Sequence, residues 1–506
     1  MFPRRPETHK YNAGVRSYML FNSYIFIMFF LPVALTGYFL LNHFNKNTWA
    51  KAFLLGMSLW FYGYFNYTYL LVILSSIAVN YAVVRKINQA RTKDDGADGG
   101  RYWLFLGLVF DIGMLFYFKY FDFFLSNVNA VFGMDFNMRN ILLPLGISFF
   151  TFQQISYIVD AYRDGTGNEA FLDYAVFVTF FPQLIAGPIV THDELIPQIR
   201  DESKHRPDYE NISRGLMIFT AGLFKKVIVA DTFGCIADWG FADIAALSSI
   251  EAVLSIFSYT MQIYFDFSAY SDMAVGIGKM FNFDLPVNFN SPYKSFSIIE
   301  FWQRWHMTLT RFLRKYIYFP LGGSRKGQVR TYINIMIVFL VSGLWHGAAW
   351  TFILWGALHG VAQCLNRFFK KQYENFHKAF QWLLTFIFIN ATWLVFRVEK
   401  ISDIKLMLKR LIKGGFIISK SIEAAFKLDE LEFFEDMLHL SQYIDKIPGF
   451  NLLMFYLLSF IVVLNGKNVQ ERKFNLTAFN SLLTTCALVW CICSLSGVMT
   501  FLYFNF

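Results

Sequence analysis

The sequence predicts an all-α protein that crosses a membrane many times, and three observations predict it. Of the 506 residues, 56% are hydrophobic, only 16% are charged and 61 are Phe, more apolar surface than a water-soluble core of ordinary proportions can hide. The apolar residues fall in runs near the length of a spanning helix, about 20 residues, at 20–42, 50–66, 67–84, 102–126, 141–160, 170–189, 212–231, 250–280, 331–347, 349–366, 379–397, 452–465 and 481–503. These runs are continuous and do not alternate with period two, so a membrane β-barrel is not expected. Roughly 10 to 13 helical crossings follow, some of them re-entrant or merged.

A net charge of +9 would point to nucleic acid in a soluble protein. Here the Lys and Arg stand in short connectors between apolar runs, as they do in the inner loops of membrane proteins, so lipid headgroups and not nucleic acid are the expected partners. Residues 1–18 are polar and basic and read as an N-terminal extension to one transmembrane domain, 19–506. No small-residue cleavage site follows the first apolar stretch, so an ordinary signal peptide is not expected. The connector holding Arg85, Lys86, Arg91, Lys93 and Arg101 places its side of the membrane in the cytoplasm. The five cysteines, Cys235, Cys364, Cys486, Cys491 and Cys493, contain no CxxC pair, which indicates neither a disulfide framework nor a metal site.

Polar residues mark which runs face inward. The stretch 143–165 holds Gly146, Ser148, Thr151, Gln153, Gln154 and Asp160, too many to face lipid. The run 181–195 breaks at Gly187-Pro188, where irregular backbone has to be enclosed by protein or line a cavity. Lys225-Lys226 reads as a contact at a helix end, to headgroups first and to an anionic ligand as the alternative. Asp266 and Asp272 stand in an apolar helix and should pair, cap or line a wet cavity, which makes them structural or supporting groups. Between 400 and 450 Lys alternates with Leu at helical spacing, ahead of an acidic segment, and interfacial or surface helices are expected.

The catalytic signal is concentrated in 289–360. Phe301, Trp302, Trp305, Leu309, Phe312 and Tyr316 recur mostly at three- and four-residue steps, which predicts one aromatic helix from about Ile298 to Tyr318 lying at an interface, with Arg304, Arg311, Arg314 and Lys315 mostly on its other faces. Such a face suits a nucleotide with phosphates or a lipid headgroup. His306 lies within it. His346, forty positions on, sits inside an apolar run, where burial favours the neutral imidazole that can accept a proton from a hydroxyl. His359 reads as a structural histidine. No GxSxG elbow or activated cysteine offers a nucleophile, so direct attack of a hydroxyl on a thioester fits better than a covalent enzyme intermediate.

These segments resemble the membrane-bound O-acyltransferase superfamily, in its bacterial branch of alginate and peptidoglycan O-acetyltransferases. The likeness is carried by MLFNSYIF at 19–26, LGISFFTFQQISYIVDAYR at 145–163, FPQLIAGPI at 181–189, GLFKKVIVAD, YFDFSAYSDMAVG, FNSPY, FWQRWHMTLTRFLRKYIYFPLGG, SGLWHGAAWTFILWGALHG, TWLVFR at 392–397 and the closing FLYFNF. The resemblance implies a helical fold around a central tunnel in the bacterial inner membrane, with His346 as catalytic base and His306 as the second histidine. It further implies acetyl-CoA as donor, no bound cofactor, and an SGNH-type partner outside that completes O-acetylation of an envelope polysaccharide. Arg304, Arg311, Lys315, Asn290 and Trp305 are then expected on the substrate and donor side. D-alanyl transfer to teichoic acid from a carrier protein, or flipping of a lipid-linked sugar, are the alternatives.

Overall fold

A chain this poor in charge satisfies its backbone polar groups by closing them inside helices. In the computed structural model, which describes residues 19–92, 96–426, 428, 435–439, 449–471, 474–497 and 499–502, the regular elements are all helical. The expected extension 1–18 and most of the acidic stretch 428–445 lie outside the described residues. Among the described residues the first regular element is a wide π-helical turn at Phe26–Phe30, followed by α1 (Leu31–His43), α2 (Asn47–Phe65), α3 (Tyr69–Thr92), α4 (Gly96–Leu115) and α5 (Phe121–Phe132). Next come α6 (Ile147–Asp164), α7 (Phe171–Thr179), α8 (Phe181–Leu184), α9 (His192–Arg200), α10 (Tyr209–Phe224), α11 (Asp231–Ala242) and α12 (Ser249–Met280). The region of the histidines holds α13 (Ile298–Arg304), α14 (Met307–Leu313), α15 (Gln328–His346) and α16 (Trp350–Phe368). The rest is α17 (Lys370–Glu374), α18 (Lys378–Arg397), α19 (Ile401–Lys413), α20 (Lys420–Ala425), α21 (Phe450–Asn465) and α22 (Ala478–Cys493).

Among the described residues, five segments are long and apolar enough to cross a membrane: Phe26–His43, Tyr69–Thr92, Gly100–Phe132, Gln328–His346 and Lys378–Arg397. Phe450–Asn465 and Ala478–Cys493 are shorter apolar helices. The polar runs are enclosed by protein instead. In α6, Ser148, Thr151, Gln153, Gln154 and Asp160 are all buried, because neighbouring helices supply partners that lipid cannot. The 32-residue α12, about 48 Å long at 1.5 Å per residue, is buried along most of its length and packs against α10 and α11. A capping box starts it: the Glu251 N–H donates to Ser248 Oγ at 3.2 Å and the Ser248 N–H to Glu251 Oε2 at 2.9 Å, which closes two otherwise orphaned donors. The amphipathic α19 buries Met407 and exposes Leu408 and Ile412.

Among the described residues, three π-helical segments carry lysines whose amino groups reach protein partners: Phe116–Tyr120 with Lys119, Lys225–Ala230 with Lys225 and Lys226, and Arg314–Tyr318 with Lys315. A π segment widens the helix and re-aims its side chains. Lys225 and Lys226 therefore are not the headgroup contacts that the sequence suggests. Lys225 pairs with Asp272 at 2.6 Å, and Lys226, 1% exposed, pairs with Asp266 at 2.6 Å and Asp231 at 2.8 Å.

Among the described residues the apolar core falls into two large clusters, one built mainly on α1–α10 and the other on α11, α13, α16, α18 and the first half of α12, with a small third around Met407 of α19. Trp345 belongs to the first, and Trp302, Trp305 and Trp355 to the second. The histidines stand at the seam.

Candidate active site

His346 is the last residue of α15, and the chain leaves it in extended form at Gly347. Its ring stands nearly perpendicular to Trp345, Trp355 and Phe396, with centroid separations of 4.9, 5.1 and 5.2 Å. α16 reaches that ring because two glycines let the helices touch. A Cβ on Gly343 would lie 2.3 Å from the Phe352 carbonyl oxygen, and one on Gly356 2.4 Å from that of Phe339.

His306 is fully buried and packs on Phe267 at 4.7 Å and on Trp345 at 5.9 Å. Two imidazoles forty residues apart thus share one indole. His306 also breaks its helix. The single helix expected from Ile298 to Tyr318 is interrupted at Trp305-His306, where His306 takes the left-handed conformation with φ 44°, which costs a residue other than glycine about 1–3 kcal/mol. Asn288 holds the break: its carbonyl accepts the Met307 N–H at 2.9 Å, and its Oδ1 accepts the Thr308 hydroxyl at 2.6 Å and the Thr308 N–H at 3.3 Å. Nor does the aromatic stripe lie at an interface. Phe301, Trp302, Trp305, Leu309 and Phe312 are at most 5% exposed, because the break folds both halves into the core.

The residues expected to face the donor are engaged with other groups of the chain. Arg304 donates to Glu300 at 3.0 Å and to the Asn290 carbonyl at 3.2 Å, while the Asn290 N–H returns to the Arg304 carbonyl at 2.9 Å. Arg311 forms a two-pronged pair with Glu194 at 2.5 and 2.8 Å. Lys315 reaches Asp160 at 3.0 Å, beside the Tyr316 hydroxyl, which donates to the same oxygen at 2.7 Å. Trp305 is enclosed by Phe289 and Trp393. Together they brace the loop that carries His306. A cavity of about 730 Å³ lies toward the other end of α15, lined by Glu300, Gln303, Gln328, Arg367, Lys370 and Lys378 among others.

The chain is 41% identical to the peptidoglycan O-acetyltransferase of Helicobacter pylori over 521 aligned positions, which cover 96% of this chain and 98% of that protein. It belongs to the membrane-bound O-acyltransferase family. The sequence profile of that family matches residues 169–400, which contain His306, His346 and the cavity. The probable alginate O-acetylase AlgI of Pseudomonas aeruginosa is 40% identical over 76% of this chain and 73% of its own length. The teichoic acid D-alanyltransferase of Bacillus subtilis is 29% identical over 48% of this chain and 63% of its own. This multi-pass membrane protein is therefore an acyltransferase.

One residue of this membrane-bound O-acyltransferase that sequence reading passes over is Lys119. It lies inside the apolar segment Gly100–Phe132, and its Nζ donates to the carbonyls of Trp345 at 2.6 Å and His346 at 3.1 Å and to Ser148 Oγ at 3.2 Å. The neighbouring Tyr120 hydroxyl donates to the Leu344 carbonyl at 2.7 Å. The last carbonyls of α15, which have no partner within the helix, are thus closed by donors from another helix. The one signal in the sequence is an ionisable residue at membrane depth. Since a displacement of about 1 Å near reacting groups can cost 10²-fold, Lys119→Met is expected to lower the acyl-transfer rate by roughly 10- to 100-fold, with Lys119→Arg between the two. Initial rates on purified protein in lipid discs check this; equal rates for all three remove Lys119 from the site.

Proposed function

We propose that this acyltransferase takes an acetyl group from cytosolic acetyl-CoA and passes it across the bacterial inner membrane for O-acetylation of an exported polysaccharide of the peptidoglycan or alginate kind. An SGNH-type partner on the outer side completes the transfer. The observation that carries the reading is the pair of imidazoles on Trp345, at the end of α15 remote from the cavity. His346 takes the proton of the attacking hydroxyl, and His306 orients the groups beside it. The acceptor oxygen bonds to the thioester carbon, the C–S bond breaks, and the proton leaves on the thiol. The names of the relatives support acetyl and a polysaccharide as the chemistry.

The donor enters from the cavity. In this reading the cavity side is the cytoplasmic one, and the positive connector supports it: Arg91 within that connector donates to the Ala161 carbonyl, next to Asp160, which pairs with Lys315, while Asn334 near the start of α15 donates to the Gly323 carbonyl. The phosphates of the donor meet Arg367, Lys370 and Lys378 on the cavity wall. Losing a phosphate contact of about 1 kcal/mol weakens binding about fivefold, so Arg367→Gln with Lys378→Gln is expected to raise the KM for acetyl-CoA by roughly 10- to 30-fold with kcat little changed. A KM within twofold of wild type places the phosphates elsewhere.

The reading as a whole is tested by measuring ester-linked acetate on each envelope glycan in cells with and without the protein. Acetate lost from one glycan is the expected result, and unchanged acetate on all of them sinks the proposal. Rates that require a small acidic carrier protein in place of acetyl-CoA decide for D-alanyl transfer.

A further inference from the structure

Trp355 and His359 stand four residues apart on one face of α16, and neither is exposed at all. Their rings are 4.7 Å apart, and that of Trp355 lies 5.1 Å from His346. The indole N–H of Trp302 donates to His359 Nδ1 at 3.1 Å. Since an indole N–H can only donate, Nδ1 is the accepting nitrogen, and the His359 proton sits on Nε2. That Nε2–H and the Nε1–H of Trp355 have no acceptor among the described residues. A buried donor without an acceptor is rare and costly, and here two of them belong to rings in contact with each other, one of which packs on the proposed base.

We infer that the Trp355 and His359 N–H groups bind the carbonyl oxygen of the acyl thioester and stabilise the oxyanion that forms on it. The inference rests on the acetyl-transfer reading and adds the groups that meet the negative charge. The acceptor hydroxyl oxygen bonds to the thioester carbon while its proton passes to His346. The carbonyl electron pair moves onto oxygen, where the two N–H groups hold it. As the carbonyl re-forms, the C–S bond breaks and the thiol leaves with the proton from His346. Fixed donors of this kind act best in a site closed to water, and the wall of Trp345, Trp393 and Phe396 supplies that enclosure.

The test deletes each donor and keeps the shape. Replacing Trp355 by 3-benzothienylalanine retains a bicyclic ring without its N–H, and His359→Leu is compared with His359→Gln, which keeps a donor. Loss of one oxyanion donor typically lowers kcat by about 10²–10³-fold. That fall is expected for the two donor-free variants, with KM for acetyl-CoA within threefold of wild type, a thermal midpoint that does not drop for the isosteric Trp355 variant, and partial rescue by His359→Gln. The infrared carbonyl stretch of bound acetyl-CoA labelled with carbon-13 at the carbonyl should move up in frequency in the same variants. A kcat within twofold of wild type in both donor-free variants overturns the inference and leaves the acetyl-transfer reading standing. A wild-type protein inert toward acetyl-CoA overturns both.

Discussion

His346→Ala is expected to lower the rate of acyl transfer by about 10²–10⁴-fold, the usual contribution of a positioned general base. The variant should still fold. The ring is one of several packed around Trp355 and Phe396, and the Lys119 contacts at the end of α15 go to backbone carbonyls, which alanine keeps. His306→Ala is expected to cost less in rate and more in stability, because its left-handed backbone is fitted to the Asn288 clamp. Initial rates, read beside the thermal midpoint of the same preparation, separate the two. Folded His346→Ala protein that transfers acyl groups at the wild-type rate removes the imidazole from the chemistry.

Lys226→Met is expected to destabilise the protein by about 3–5 kcal/mol, the cost of leaving buried charge without its counter-ion. Lys226 is 1% exposed between Asp266 and Asp231, and it also donates to the Thr500 carbonyl at 3.3 Å and lies over the Phe501 ring. Without the ammonium, two carboxylates are left in one apolar pocket. The double variant Lys226→Met with Asp266→Asn should recover part of the loss, because it removes one of those charges and keeps an acceptor for the Leu502 N–H. Thermal unfolding in a single detergent or lipid disc measures the series, and a midpoint for Lys226→Met equal to wild type shows that the triad carries no stability.

The helical class was legible because continuous apolar runs have one solution in lipid, and the relatives were legible because motifs such as FPQLIAGPI and SGLWHGAAWTFILWGALHG are long. What the sequence hid is pairing at a distance. The aromatic stripe from Phe301 to Tyr316 keeps its helical step across Trp305-His306, so periodicity gave no sign of the break; the cause is Asn288, on a separate segment. Lys226 looks like a lysine reaching for headgroups and Lys119 is passed over, and only the fold brings Asp266 to the one and Trp345 to the other. By sequence His359 is a structural histidine. It does accept from Trp302, but periodicity says nothing of a second nitrogen left without a partner.

The buried triad has a consequence for how the protein is made. The N–H that Asp266 accepts belongs to Leu502, 236 positions later, and the one that Asp231 accepts belongs to Met499, 268 positions later. At a synthesis rate of about 5–20 residues per second, these carboxylates wait roughly 12–50 seconds before their last donors leave the ribosome. During that interval a nascent chain already in the bilayer holds an unfinished polar knot among α10, α11 and α12. Chains stalled before residue 499 should therefore be marked for the membrane proteases that survey unassembled helices.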